Sequence, residues 1–148
     1  MDQKIEYAYY GSLIMVSLLA IQFLLGIYIN LYVAFPPVFS NSFGMGFRTG
    51  FGMGIGMMPY FSIVMHITLA FLILFASFIM LFLSLRINNK NLIIESFVSF
   101  FFVLIAGLSG FLFLFNENNI YSFMMAVSFV LVFLLQFMYV FELSKIKS

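Results

Sequence analysis

Four long stretches without a charged residue constrain the fold of this chain more than any other feature of its sequence. An ionised side chain at the centre of a bilayer costs at least about 2.5–3.5 kcal/mol, so charged residues mark where a chain leaves the membrane. Each stretch has about 20 residues or more, enough for a helix to cross a hydrocarbon core of about 30 Å. The stretches predict membrane-spanning helices at residues 9–35, 59–85, 96–115 and 120–141.

Composition agrees with this pattern. Of the 148 residues, 65% are hydrophobic and 7% are charged, whereas a soluble domain has about 25% charged residues. The formal net charge of +1 provides no basic surface for nucleic acid. The chain has no cysteine, which excludes disulfides, thiolate metal sites and thiol nucleophiles. We therefore expect an all-α integral membrane protein, a single four-helix bundle surrounded by the lipid bilayer.

The distribution of lysine and arginine predicts the orientation of the bundle. Four spans place the N-terminus, the 86–95 connection and the C-terminal tail on one side, which holds five of the six basic residues. This bias predicts a protein of the cell membrane with both termini in the cytoplasm, an outward-facing loop at residues 36–58 and Tyr139 as an anchor at the cytoplasmic boundary. Arg48 is the basic residue on the outer side. The cytoplasmic ones are Lys4, Arg86, Lys90, Lys145 and Lys147.

Two carboxylates lie at the predicted cytoplasmic ends of the last two spans. We expect Glu95 and Glu142 to pair there with Arg86, Lys90 or Lys145. No carboxylate falls inside a predicted span. Because ion pathways usually leave ionisable groups inside the membrane, this distribution argues against a proton-driven carrier.

Small and polar residues predict the faces on which the helices pack. Lipid tails are as apolar as leucine, so helices in a bilayer associate through close contact of small residues and through hydrogen bonds. In the first span Gln22, Gly26 and Asn30 recur every four residues and are expected to share one inward face. The residues predicted to pack the helices are Gln22, Gly26, Asn30, Ala70, Gly107, Gly110 and Gln136.

The outward loop contains a direct repeat, because the tetrapeptide FGMG occupies residues 43–46 and again residues 51–54. Methionine thioethers are soft ligands that suit monovalent copper, and methionine clusters of this kind resemble the extracytoplasmic segments of copper transport proteins. The alternative is a glycine-rich apolar loop that skims the membrane. The candidate copper ligands are Met45, Met53, Met57 and Met58.

His66 is the sole histidine of the chain and lies about seven residues inside the second span. An ionisable residue inside a membrane is a functional candidate by default. It could be an axial haem ligand, with a methionine or the His66 of a second subunit opposite. It could instead hydrogen bond a quinone headgroup or relay a proton. In the third interpretation it is neutral and bonded to Asn30, so that it joins two helices.

Two parts of the sequence resemble known membrane proteins. The segments 22–26 (QFLLG) and 30–33 (NLYV) resemble a pattern found in small, uncharacterised four-span proteins of prokaryotes. The position of His66, near the outer end of the second helix, is similar to that in a half-bundle of haem A synthase. That resemblance implies haem binding at His66. The chain departs from it in having no second histidine for the fourth helix and no acidic residue in the first outer loop.

The sequence contains no nucleophile–base pair, no phosphate-binding loop and no carboxylate pair inside a span. It therefore favours a non-enzymatic accessory or structural subunit, without a cofactor, that associates with itself or with other membrane subunits. One alternative is a haem-binding or quinone-linked redox protein that uses His66. The other is copper handling by the methionine-rich loop.

Overall fold

The computed structural model describes residues 3–32, 57–116 and 118–147, and these residues form four long α-helices. Each helix contains a segment long and apolar enough to cross a membrane, which confirms the prediction of an all-helical bundle with four candidate spans. Residues 36–56 of the predicted outward loop lie outside the described residues. The helices are α1 (Gln3–Tyr32), α2 (Met57–Ile87), α3 (Lys90–Asn116) and α4 (Asn119–Lys147).

The helices pack in a ring in which α1 contacts α2, α2 contacts α3, α3 contacts α4, and α4 returns to α1. Successive helices run in opposite directions, as in an up-down-up-down bundle. Ala8 near the start of α1 shares a buried cluster with Met80 near the end of α2 and Leu92 near the start of α3. The two chain termini and the α2–α3 connection therefore lie at one end of the bundle, called the terminal end below. The α3–α4 connection lies at the opposite, distal end.

Two asparagines make the connection between α2 and α3. Asn88 adopts a left-handed backbone conformation with φ of 58°, and its N–H donates to the carbonyl of Ser84 at 3.1 Å. This is a helix C-terminal motif that asparagine tolerates better than most residues. The Oδ1 atom of Asn89 then accepts the backbone N–H of Asn91 at 3.0 Å, which caps the start of α3. The turn is complete in two residues, so most of the predicted 86–95 connection is helical.

The early start of α3 changes the position of one carboxylate. Glu95 lies inside this helix, and its Oε2 atom is buried without a hydrogen-bond partner among the described residues. Glu95 therefore lies in the second turn of α3 and not in the connection, because Asn89 caps the helix six residues before it. Glu142 does form a predicted ion pair, with Lys145 at 2.9 Å.

The core of the bundle consists of apolar clusters at successive levels. The terminal cluster contains Ala8, Met80, Leu92, Tyr139 and Leu143, and the middle cluster contains Met15, Leu19, Ile73, Val103 and Val132. A distal cluster joins Ile29 to Ile63. Phenylalanines cover much of the outside, and Phe71 and Phe75 are each more than 60% exposed. A surface this apolar is stable against lipid and not against water.

The left-handed turn predicts how substitutions at Asn88 affect stability. Asn88→Ala should lower the free energy of unfolding by about 1 kcal/mol. Any Cβ is strained at positive φ, and the alanine side chain, unlike that of asparagine, cannot hydrogen bond to the local backbone to offset this strain. Asn88→Gly should leave stability unchanged or raise it, since glycine adopts this conformation freely. Unfolding of purified protein by dodecyl sulfate in mixed micelles, followed by circular dichroism, measures both. Equal stability of the two variants would contradict the assignment.

Candidate functional site

Polar side chains form two layers between the apolar clusters inside the bundle. Each layer takes one residue from each helix, and the members follow from their order along the helices relative to the clusters. The terminal polar layer lies between the terminal and middle clusters and consists of Ser12, Ser77, Ser99 and Gln136, all at most 1% exposed. The distal polar layer lies beyond the middle cluster and consists of Gln22, His66, Ser109 and Ser128.

In the terminal polar layer an amide joins α3 to α4. The Nε2 atom of Gln136 donates to the Oγ atom of Ser99 at 3.0 Å, and this bond is fully buried. The Oε1 atom of Gln136 is also buried and has no partner among the described residues. In a bilayer no water competes for such groups, so this hydrogen bond fixes the relative rotation of the two helices.

In the distal polar layer Gln22 joins α1 to α2 by two hydrogen bonds to one residue. Its Nε2 atom donates to the ring Nε2 atom of His66 at 3.2 Å and to the His66 backbone carbonyl at 3.2 Å. An amide nitrogen is only a donor, so the ring Nε2 accepts and the neutral ring carries its hydrogen on Nδ1. The Gln22 Oε1 and His66 Nδ1 atoms are buried and lack partners in the part of the chain described.

The partner of His66 is therefore Gln22 and not Asn30, whose side chain is exposed. The prediction that Gln22, Gly26 and Asn30 share one inward face does not hold for Asn30, and the reason is geometric. Four residues of an α-helix turn about 40° beyond a full circle, so two such steps rotate Asn30 about 80° from Gln22. Gln22 is buried, Gly26 is half-buried and Asn30 is exposed, which is the expected progression.

The other predicted packing residues divide between interfaces and the outer surface. A Cβ at Gly26 would lie 3.4 Å from the Cε1 atom of His66, and one at Gly110 would lie 3.1 Å from the sulfur of Met125. Both glycines thus allow close contact between neighbouring helices. Ala70 is half-buried. Gly107 is exposed, and a Cβ added there would meet none of the described atoms within 4 Å, so this glycine does not pack inside the bundle.

Sequence reasoning missed the role of Tyr139. It was expected at the membrane boundary, but it is 1% exposed and its hydroxyl lies 2.7 Å from the Ser84 Oγ atom in a buried hydrogen bond between α2 and α4. A signal for this position exists in the sequence, because Tyr139 lies three residues after the buried Gln136 and four before Leu143 on one helix face.

The haem, quinone and copper sites considered above differ in how they fit the hydrogen bonds of His66 and the described residues. A haem iron bound at the His66 Nε2 atom would displace the hydrogen bond from Gln22. A quinone carbonyl could accept a hydrogen bond from the ring Nδ1.

Met45 and Met53 of the copper hypothesis lie outside the described residues, as do the side chains of Met57 and Met58. Among the residues that the structure describes, no group of three or more His, Asp or Glu side chains could hold a metal ion.

The outer surface carries an apolar groove of about 370 Å³ between α2 and α3. Its position and lining suit contact with lipid chains rather than a polar ligand. The lining residues are Phe71, Leu74, Phe75, Phe78, Phe100 and Leu104.

Comparison of the chain with protein-family models, curated proteins and solved structures gave no match. The described residues offer the interior polar side chains of the bundle as functional candidates. Among them the Gln22–His66 pair combines the sole histidine of the chain with two buried atoms that lack described partners.

A double-mutant cycle tests the assignment of this pair. Combining Gln22→Leu with His66→Leu should reveal a coupling free energy of about 0.6 kcal/mol and at most about 1.7 kcal/mol, the range measured for hydrogen bonds between membrane helices. The control cycle pairs His66→Leu with Asn30→Leu and should be additive within about 0.5 kcal/mol. Unfolding by dodecyl sulfate in mixed micelles provides the free energies. A larger coupling to Asn30 than to Gln22 would contradict the geometry.

Proposed function

We propose that this chain is a small integral membrane protein that serves as a non-enzymatic accessory or structural subunit. In this proposal it associates with itself or with other subunits in the cell membrane, and it needs no cofactor. The observation that carries the proposal is that interior polar side chains form hydrogen bonds between helices. His66, the residue best suited to chemistry, receives two hydrogen bonds from Gln22 across the α1–α2 interface.

The same use of polar side chains recurs at two other places where helices meet in the described bundle. Gln136 and Ser99 join α4 to α3, and Tyr139 and Ser84 join α4 to α2. Hydrogen bonds of this kind each contribute about 0.6 kcal/mol to the association of membrane helices. Polar residues that hydrogen bond between helices stabilise the bundle, which supports a structural role.

Two features of the outer surface support association with another subunit. Gly107 faces outward in the interior of α3 and leaves open space, so a helix of another subunit could approach closely at this point. Asn30 exposes an amide on the outside of α1 near its distal end. A contact that covers this amide would satisfy its hydrogen-bonding groups away from water.

The proposed orientation places the terminal end in the cytoplasm. Exposed Lys4, Arg86, Lys90 and Lys145 lie near that end, one on each helix. Basic residues in short segments next to spans are retained on the cytoplasmic side. The α3–α4 connection would then face outward.

Cysteine labelling tests this orientation, because the natural chain has no cysteine that would interfere. Asn119→Cys at the distal end should react with a membrane-impermeant maleimide on intact cells. Asn91→Cys at the terminal end should react only after the cells are permeabilised. Both asparagine side chains are exposed, which makes the two sites a matched pair. The opposite labelling pattern would reverse the proposed orientation.

Native mass spectrometry of protein extracted in a gentle detergent tests the association. We expect assemblies heavier than the 17.0 kDa chain, and we expect Gly107→Leu to reduce their population because the added side chain blocks close helix contact. Val130→Leu, at an exposed position on α4, is the control and should have no effect. Recovery of the monomer alone, together with no crosslinked species in intact membranes, would refute the subunit role.

A further inference from the structure

The apolar groove between α2 and α3 continues along α2 to a basic residue at the terminal end. Phe78 of α2 and Phe100 of α3 both line the groove, and their ring centroids are 6.1 Å apart. Toward the terminal end, Phe82 and Arg86 follow Phe78 at intervals of four residues. Residues at this spacing are neighbours on one helix face, so an apolar stripe leads from the groove to the Arg86 guanidinium.

Lys90 provides a second positive charge at the same end of the groove. It begins α3 and is joined to Arg86 by only three residues. Leu104, which lines the groove, follows Lys90 by fourteen residues, and in an α-helix these complete four turns to within about 40°. Lys90 and Leu104 therefore lie on the same side of α3.

The contacts of these two basic residues allow them to bind an anion. The Arg86 and Lys90 side chains are exposed, and neither forms an ion pair with the described residues. The Arg86 guanidinium lies 4.7 Å from the centroid of the exposed Phe82 ring. This cation–π contact holds the charge over the lipid-facing surface, and it leaves free the in-plane N–H groups with which arginine binds phosphate.

The depth of the groove matches the length of a phospholipid. At a rise of about 1.5 Å per residue, the groove residues Phe71 to Phe78 lie about 12–22 Å from Arg86 along α2. One leaflet, from its headgroups to the bilayer centre, is about 20–22 Å thick. A lipid with its phosphate at Arg86 therefore has an acyl chain long enough to pass Phe82 and enter the groove.

We propose that Arg86, Lys90 and the groove between α2 and α3 form a binding site for one anionic phospholipid. The phosphate accepts hydrogen bonds from Arg86 and lies near the Lys90 ammonium, and one acyl chain occupies the groove of about 370 Å³. A zwitterionic lipid with a choline headgroup would bring a third cation to a site that already has two. The site therefore selects the lipid by the charge of its headgroup.

A second apolar groove, of about 270 Å³ on α4, has a different relation to charge. Its lining residues lie between Phe123 and Leu131, about 21–33 Å from Lys145 along the helix. The Lys145 ammonium is also paired with the Glu142 carboxylate at 2.9 Å. Lys145 and this groove therefore provide matched controls for Arg86 and the groove between α2 and α3.

Native mass spectrometry of the full chain in a gentle detergent tests the headgroup contacts. Titration with phosphatidylglycerol and phosphatidylcholine of identical acyl chains should show stronger binding of phosphatidylglycerol. Arg86→Gln and Lys90→Gln should each weaken phosphatidylglycerol binding about fivefold. Lys145→Gln also removes one charge, from an ammonium 4.3 Å from the Phe141 ring centroid, and should leave this binding unchanged. Equal affinity for the two lipids, or an equal loss in Lys145→Gln, would overturn the proposal.

A second pair of variants tests the acyl-chain contact while both charges remain. Phe75→Ala removes a ring from the groove and should weaken phosphatidylglycerol binding, because the acyl chain loses its dispersion contacts. Phe123→Ala makes the same change in the groove on α4 and should have no effect. Both phenylalanines are more than 60% exposed, so neither change disturbs the core.

A competition experiment distinguishes a lipid from a free anion. Inorganic phosphate in large excess should not displace bound phosphatidylglycerol, because it lacks the chain that occupies the groove. Displacement by inorganic phosphate, or unchanged lipid binding in Phe75→Ala, would show an anion site without a chain contact and would refute the proposed lipid site.

Discussion

Hydrogen bonds between helices hold this bundle together, because its surroundings remove the force on which soluble bundles rely. In water, apolar faces associate because they leave the solvent, but in lipid an exposed leucine costs nothing. What remains is close packing and the strong preference of polar groups to find partners in an apolar medium. Gln22 and Gln136 each reach a neighbouring helix through such a bond, and Tyr139 reaches across the bundle from α4 to α2. These bonds define which faces of the helices meet.

The alternation of polar and apolar levels gives the bundle a defined register. If α4 slid along α3 by one turn toward the distal end, Gln136 would lose Ser99 and meet Val103 of the middle apolar cluster. An amide without a partner in that position would be unfavourable by about 1–3 kcal/mol. Apolar packing alone tolerates such shifts more easily, since one phenylalanine or leucine can replace another at a contact.

Much of the fold could be predicted from the sequence, but the site could be predicted only in part. Charged residues define the four spans because the free energy of burying a charge in lipid is large. The helix ends were harder to predict, since the charges from Arg86 to Glu95 indicate a ten-residue connection, whereas Asn88 and Asn89 stop and restart a helix within two residues. The pairing of His66 depended on helix rotation, and a repeat of four residues drifts around the helix quickly enough to separate Asn30 from Gln22. Tyr139 was assigned by residue type, although its spacing from Gln136 places it inside.

The short connections also bear on how the protein enters the membrane. Asn88 and Asn89 join α2 to α3, and Glu117 and Asn118 join α3 to α4. Helices linked this closely are adjacent from the moment they leave the ribosome, and a helical hairpin can insert as one unit while only its small polar tip crosses the bilayer. The segment 33–56 is longer, so α1 and α2 are not tied together in this way.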